Sequence, residues 1–93
     1  MSGAILSVEP IRYTPAGLPV LQMELEHRSA QTEVGISVNI EFAMKLKAVG
    51  EIAQEMAKLP MGSEIAVKGF LARMSRRSDA TVLHVNSYKL MRG

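Results

Sequence analysis

A two-residue alternation of apolar and polar side chains constrains the fold of this chain more than any other feature. In Leu18–Arg28 the two alternating sets are Leu21, Met23 and Leu25 against Gln22, Glu24 and Glu26. In Gly35–Ala43 the apolar set is Ile36, Val38, Ile40 and Phe42. Because successive side chains of a β-strand lie on opposite faces, each stretch predicts a strand with one buried face. Such strands are typical of antiparallel sheets, and we expect both apolar sets, Phe42 included, to lie in the core.

Three further strands are predicted outside these stretches. Ala4–Tyr13 is rich in β-forming residues, and Pro10 late in this run indicates an edge or a bulge. Glu64–Met74 carries Gly69 in its middle, where a small residue often marks a bulge or a barrel bend. Thr81–Leu90 is the last predicted strand. The segments between strands are predicted to be turns or polar loops: Thr14–Gly17, Ser29–Val34 and Met74–Ala80.

The apolar period changes to three and four residues over Ala48–Leu59. Apolar side chains recur there at Val49, Ile52, Ala53, Met56 and Leu59. This spacing predicts a short amphipathic helix, which Pro60 and Gly62 end. We expect Val49, Ile52 and Met56 to close one end of the core.

The predicted element order is β-β-β-α-β-β in a chain of 93 residues. A chain of this length forms one domain, residues 1–93, and buries only about two-thirds of its unfolded surface, so its core is thin. Five strands, one helix after the third strand and a glycine bend in the fourth favour an all-β, five-stranded Greek-key barrel of the OB type. Closing the barrel removes the exposed edges that a flat sheet would leave.

Composition argues against several kinds of site. The chain has no cysteine, which excludes disulfides and thiolate metal ligands. His27 and His84 lie in or beside predicted strands without the partners of acid–base catalysis, so we expect no enzyme, no metal and no cofactor, with His84 structural. No apolar run approaches the ~18 residues of a membrane span. Met1–Gly3 is too short and uncharged for a signal peptide, which predicts a cytoplasmic protein without membrane contact.

The basic residues are more informative than the net charge of +2. Arg73, Arg76 and Arg77 cluster at the predicted loop before the last strand, which overhangs the binding face of an OB barrel. Arg12 precedes the first turn, and the strands that flank the basic loop carry two more cations, Lys68 and Lys89. A cationic surface of this kind attracts phosphates and displaces counterions, so it predicts nucleic-acid binding.

Aromatic side chains that stack on bases are scarce, with two tyrosines, two phenylalanines and no tryptophan. Phe70 is ambiguous between core and surface, and Tyr13, beside Arg12 and the first turn, is the best stacking candidate. We therefore predict a binder of single-stranded nucleic acid that reads mainly phosphates, is sensitive to salt and has little sequence selectivity.

Four segments together resemble one bacterial family: Pro15–Pro19, Leu25–Ser29, Val67–Leu71 and Val82–His84. Over nearly its whole length the chain resembles the PriB family, the primosomal replication proteins N, which are related to bacterial single-stranded-DNA-binding proteins. The resemblance implies an OB-fold homodimer that binds single-stranded DNA. It also implies that the protein engages the PriA helicase and other primosome proteins during replication restart.

The resemblance extends to individual residues. Arg12 matches a basic position before the first turn, and Arg28 matches the arginine of the family's His-Arg-Ser motif. The loop arginines 73, 76 and 77 fall where the family carries lysines. The pattern departs at Glu41, where relatives place a stacking tryptophan. A carboxylate cannot stack on a base and repels phosphate, so tight DNA binding is not expected.

Two other functions fit the same residues. One is a protein–protein adaptor whose barrel has lost nucleic-acid binding, which Glu41 and the scarcity of aromatic residues favour. The other is an RNA-binding OB module, which would bind RNA at least as well as DNA.

Overall fold

Six β-strands and one short helix form the part of the chain that the structure describes. A computed structural model describes residues 1–74, 76–77 and 79–91, without the side chains of residues 31 and 33. The elements are β1 (Ser2–Val8), β2 (Arg12–Tyr13), β3 (Pro19–Glu33), β4 (Ile36–Val49), α1 (Glu51–Met56), β5 (Glu64–Arg73) and β6 (Thr81–Leu90). Two residues of the predicted Met74–Ala80 loop, Ser75 and Ser78, lie outside the described residues.

The strands form one closed sheet. Their order is β1-β5-β6-β4-β3, and β1 also pairs with β3, which closes the barrel. All pairs in the barrel are antiparallel except β4 with β6. The predicted five-stranded OB barrel with one helix between its third and fourth strands is confirmed, and the two-residue β2 is an addition on the edge of β3.

The first predicted strand is divided at Pro10. β1 ends at Val8, and β2 pairs separately with the start of β3, Arg12 opposite Val20 and Tyr13 opposite Pro19. Proline cannot donate to a strand ladder, so the chain leaves the sheet there and returns two residues later.

The predicted loop Ser29–Val34 is wrong. β3 runs to Glu33, and Val34 and Gly35 form a two-residue turn with φ of 49° and 75°. Positive φ at both residues is the geometry of a type I′ turn, whose twist matches the flanking strands. As a result β3 and β4 pair without interruption from Glu33 opposite Ile36 to Val20 opposite Val49.

The far end of this hairpin extends beyond the barrel and lacks a packed layer over its apolar side. Leu21, Met23 and Leu25 are buried as predicted. Burial of the apolar set of β4 is wrong for Ile36, Val38 and Phe42, which are 66%, 39% and 42% exposed, while Ile40 is half-buried. Alternation predicted the correct face of β4. It could not show that the core, which buries Leu46 and Ala48, does not extend as far as Phe42.

The helix is shorter than the predicted Ala48–Leu59. β4 continues to Val49, Gly50 takes a φ of 89°, and α1 covers only Glu51–Met56. Met56 is fully buried and Ile52 packs against the core as expected, but Val49 is 42% exposed and does not close the barrel.

A side-chain hydrogen bond links the helix to the last strand. The Tyr88 hydroxyl donates to Oε1 of Glu55 at 3.4 Å. Partial burial, the negative charge of Glu55 and this hydrogen bond together raise the pKa of Tyr88.

The predicted bulge at Gly69 is confirmed. Lys68 pairs with Ser87 and Gly69 pairs with Val85, so the register shifts between these two positions. A Cβ on Gly69 would lie 1.7 Å from the carbonyl oxygen of His84. Only glycine therefore lets β5 and β6 approach this closely.

We expect Gly69→Ala to lower the free energy of unfolding by about 2–3 kcal/mol, because the two backbones must separate to admit the methyl group. In a chain of this size the loss lowers Tm by roughly 10 °C or more, measured by circular dichroism. Gly17→Ala is the comparison, since a Cβ there meets nothing within 4 Å and only the φ of 87° opposes it at ~1–2 kcal/mol. Equal losses in the two variants would contradict the close approach at Gly69.

The turn at Val34 predicts a stabilising substitution. Valine is branched at Cβ and is unfavourable at positive φ, and its side chain is fully exposed, so packing does not compensate. We expect Val34→Asn to raise the free energy of unfolding in urea by about 1 kcal/mol. Thr32→Asn, two residues earlier in extended strand, is the control and should not stabilise. A Val34→Asn variant no more stable than the parent would count against the left-handed turn.

Candidate nucleic-acid interface

The outward face of β3 and β4 carries charged side chains. The residues that alternate with the buried set lie on this face, and the register pairs them across the two strands. Gln22 lies opposite Lys47, and Glu24 lies opposite Lys45. Lys45 is exposed and Lys47 is half-buried. The hairpin therefore presents two lysines on the outside of the barrel wall.

The same face continues onto β6 and β5. Lys47 lies opposite His84, and His84 lies opposite Phe70. The rings of Phe70 and His84 are parallel, with centroids 4.9 Å apart. We call the four residues Gln22, Lys47, His84 and Phe70 the central row; with strands about 4.8 Å apart it spans about 14 Å.

Arg12 and Tyr13 lie beside one edge of the central row. Arg12 is opposite Val20, the outward residue next before Gln22 on β3. Its guanidinium lies 3.9 Å from the Glu9 carboxylate, which offsets part of its charge. Tyr13 is 65% exposed, but it directly follows Arg12 on β2, so the two side chains lie on opposite faces of the strand.

The loop that carries Arg76 and Arg77 begins on the other side of the central row, next to Glu24 and Lys45. A cavity of about 150 Å³ lies there, lined by Ser7, Glu9, Gln22, Met23, Glu24, Lys45, Leu46, Met74 and Val82. Met74 begins the loop, and its N–H donates to the Ala80 carbonyl at 3.0 Å. Arg76 and Arg77 are exposed and follow within about 7–11 Å of chain. The loop therefore begins against Lys45, on the central-row face.

Arg28 lies farther along the hairpin and is neutralised by glutamates. It forms an ion pair with Glu26, and its Nε lies 3.9 Å from the Glu41 carboxylate. It lines a separate cleft of about 380 Å³ beside β1, together with Glu64 and Met91 among others. The structure does not place Arg28 with the loop arginines.

The other predicted site residues lie on β5 and β6. Lys68 is exposed, two residues before Phe70 and on the same face. Lys89 lies opposite Ala66, which in turn lies opposite Ser2, so it is nearer the cleft beside β1. Arg73 lies on the same face of β5 as the buried Val67, and Phe70 lies on the opposite face. Of these three, only Lys68 adjoins the central row.

Two residues of the face, Lys45 and Lys47, were absent from the sequence prediction. They fell between a strand predicted to end at Ala43 and a helix predicted to begin at Ala48. The missed signal was their alternation with Met44, Leu46 and Ala48, which continues the β-period to the end of β4. Within the described residues neither lysine forms an ion pair, unlike Arg12 and Arg28.

The two histidines have different surroundings. His84 belongs to the central row, where its ring stacks on Phe70. Nδ1 of His27 lies 2.6 Å from the Ser2 carbonyl oxygen, and its ring is 5.0 Å from that of Phe42. His27 therefore links β3 to the start of β1.

The described residues contain no group of three or more His, Cys, Asp or Glu side chains that could hold a metal ion. In the same part of the chain, the structure has no helix with the length and apolar character to cross a membrane.

A closed five-stranded barrel with a lysine-bearing outer wall between two loops defines an OB-fold of the single-strand-binding type. A family model described as "Another single-strand binding protein family" matches residues 1–87. Replication restart protein PriB of Nitrosomonas europaea is 37% identical over 91 residues, which cover 98% of this chain and 84% of the relative. PriB of Neisseria meningitidis serogroup B is 37% identical over 93 residues, covering 100% of this chain and 92% of the relative. The chain belongs to the PriB family.

Solved structures agree with this assignment. The crystal structure of PriB from Ralstonia solanacearum superposes with a TM-score of 0.86 at 25% identity, covering 99% of this chain and 94% of that one. Wild-type single-stranded DNA binding protein from Thermus aquaticus superposes with a TM-score of 0.79 at 21% identity, covering 99% of this chain and 48% of that one. The second likeness concerns the fold alone.

Proposed function

We propose that this chain is a non-enzymatic, cytoplasmic accessory protein of the primosome, which binds single-stranded DNA weakly and engages the PriA helicase during replication restart. The observation that carries the proposal is the position of Lys45 and Lys47 on the outer wall of an OB barrel, where they form no ion pair with any residue that the structure describes. Met74, at the start of the loop of Arg76 and Arg77, lines the same cavity as Lys45. Similar proteins carry the name replication restart protein PriB, which supports the cellular role.

The charges of this surface support binding that is weak and sensitive to salt. Lys45, Lys47 and the two loop arginines are available to phosphates, and each contact releases counterions from the DNA. The Glu9 and Glu24 carboxylates line the same cavity and repel phosphates. The affinity therefore depends on a small surplus of positive charge.

The full set of predicted DNA contacts stays a prediction: Arg12, Tyr13, Arg28, Lys68, Arg73, Arg76, Arg77 and Lys89. To this set we add Lys45 and Lys47, which lie on the outward face of β4. The loop of Arg76 and Arg77 begins at Met74, which lines the same cavity as Lys45, whereas Arg28 faces two glutamates, so we rank Arg76 and Arg77 above Arg28 as contacts. The homodimer that the family resemblance implies is part of the proposal.

A protein–protein adaptor is the second candidate, and the ion pairs of Arg28 favour it. A guanidinium held by Glu26 and facing Glu41 is poorly placed to take a phosphate, while a surface of mixed charge suits a protein partner. Loss of DNA binding with retention of helicase binding would support the adaptor.

Two double substitutions test the DNA-binding surface. We expect Arg76→Gln with Arg77→Gln, and separately Lys45→Gln with Lys47→Gln, each to weaken binding of a labelled oligothymidylate about tenfold in fluorescence anisotropy. Each pair should lower the log–log salt slope by about 1.4, since a single-strand contact contributes about 0.7. Lys58→Glu, an exposed residue after α1, changes the net charge by the same two units and is the control. Equal losses of affinity in all three variants would show that binding depends only on net charge and would contradict the assigned surface.

Helicase stimulation separates DNA binding from partner docking. We expect the Lys45→Gln, Lys47→Gln variant to associate normally with a PriA helicase in sedimentation but to stimulate its unwinding of a forked DNA at least threefold less than the parent, because the displaced strand is held less well. Lys58→Glu again serves as the control. If a variant that no longer binds DNA still stimulates the helicase fully, the protein–protein adaptor function would replace the proposed DNA-binding function.

A further inference from the structure

The second half of β5 has a neighbouring strand on one side only. β1 pairs with β5 as far as Ala66, and the backbone of Met1 extends this contact to Val67. From Lys68 to Arg73, β5 pairs with β6, and no strand that the structure describes lies on its other side. We call this stretch, Lys68–Arg73, the β5 edge. At about 3.4 Å per residue it is about 20 Å long.

Two hydrogen bonds show which backbone groups of β5 face away from β6. The Val67 N–H donates to the Met1 carbonyl at 2.6 Å, so Val67 points away from β6. The Met74 N–H donates at 3.0 Å to the carbonyl of Ala80, the residue before β6, so Met74 points toward it. Along an antiparallel strand this direction alternates from residue to residue. Three residues therefore present N–H and C=O groups at the open side: Gly69, Leu71 and Arg73.

The middle of the β5 edge is apolar on both faces of the sheet. Phe70 is 54% exposed on the outward face, and Leu71, on the opposite face, is 60% exposed. Side chains of an added strand would contact these two residues as cross-strand neighbours. An open edge with apolar side chains is a template for pairing with another chain.

The two ends of the β5 edge are positively charged. Lys68 and Arg73 are exposed and form no ion pair with any residue in the described part of the chain. The stretch between them contains no carboxylate, and Arg76 and Arg77 follow in the loop. A second copy of this chain paired along the same edge would bring these cations together, which opposes self-association. An acidic segment has the complementary charge.

We propose that the β5 edge binds an extended, acidic segment of a partner protein, which adds to the sheet as an antiparallel strand. The outward backbone groups supply the hydrogen bonds, and the side chains supply the selectivity. This inference goes beyond the proposed function, because it assigns a binding site for a protein segment and requires no DNA.

The register defines the chemistry of the segment. Its first residue is acidic and lies opposite Arg73. Apolar residues at its third and fourth positions lie opposite Leu71 and Phe70. A second acidic residue at its sixth position lies opposite Lys68. A peptide of sequence Asp-Thr-Val-Val-Thr-Asp has this pattern and serves as the probe.

Backbone methylation tests whether the probe binds as a strand. In the proposed register the N–H groups of its third and fifth residues face β5, and those of its second and fourth residues face away. We expect N-methylation of the third and fifth residues to weaken binding about tenfold or more in fluorescence anisotropy, because two intermolecular hydrogen bonds are lost. N-methylation of the second and fourth residues is the matched control and should leave the affinity within about twofold of that of the unmodified probe.

A charge reversal tests the register. Arg73→Glu should weaken binding of the probe about fivefold or more, because an opposite-charge pair becomes a like-charge pair. A peptide with lysine in place of the first aspartate should bind this variant more tightly than it binds the parent. Lys58→Glu changes the net charge equally and should keep the parent's preference for the acidic probe. Equal effects of the two substitutions would show attraction by net charge and would refute the site.

Hydrogen exchange gives a readout that needs no substitution. In the free protein the Leu71 amide faces the open side of β5, so it should exchange faster than the Phe70 amide, which faces β6. At a probe concentration about ten times its dissociation constant, exchange of the Leu71 amide should slow about tenfold. The Phe70 amide should change little. An unaltered Leu71 amide in the presence of bound probe would place the peptide elsewhere.

The outcomes distinguish this inference from the proposed function. If the protein binds an oligothymidylate but not the probe, or binds both methylated probes equally, the docking site is refuted and the DNA-binding proposal stands. If the probe binds in the proposed register and no single-stranded DNA binds at low salt, the docking site stands and the DNA-binding proposal fails.

Discussion

Closure of the barrel by β1 is the constraint on which the rest of the structure depends. β1 pairs with β3 on one side and with β5 on the other, and Ala4 takes part in both ladders, opposite Glu26 and Glu64. The approach is close, because a Cβ on Gly3 would lie 2.6 Å from the Glu26 carbonyl oxygen. Closing the sheet gives the inward side chains a common core, in which Leu25, Leu46 and Ile65 are almost completely buried. A sheet left open at this seam would expose both edges and divide that core.

The same closure determines the outer surface. On β4, Leu46 is buried in the core while its neighbours Lys45 and Lys47 lie outside. Shifting the register by one residue would bury two charges and expose the core. The hydrophobic effect that stabilises the barrel therefore also holds the lysines on the outer wall. Because β1 is short, its ladder with β5 ends before Phe70, and the edge that remains open carries the exposed ring.

Charge on this wall is mixed, and the mixture shapes the proposed function. Glutamates offset Arg12 and Arg28, whereas Lys45, Lys47, Arg76 and Arg77 form no ion pair with any residue that the structure describes. Exposed ion pairs of this kind contribute little to stability, so they affect binding more than folding. Relatives of this chain carry the name replication restart protein PriB.

The amino-acid sequence by itself determined the number of barrel strands, the OB topology, the bulge at Gly69 and the family, because alternation, glycine placement and short motifs are local properties of the chain. Only the tertiary structure decided that Phe42 lies beyond the core, that Arg28 meets Glu26 and Glu41, and that Lys47, His84 and Phe70 form one row. Each of these depends on which strand lies opposite and where the packed layer ends. Local periodicity carries no information about which strands pair or how far the core extends. Both are decided when distant parts of the chain pair and exclude water together.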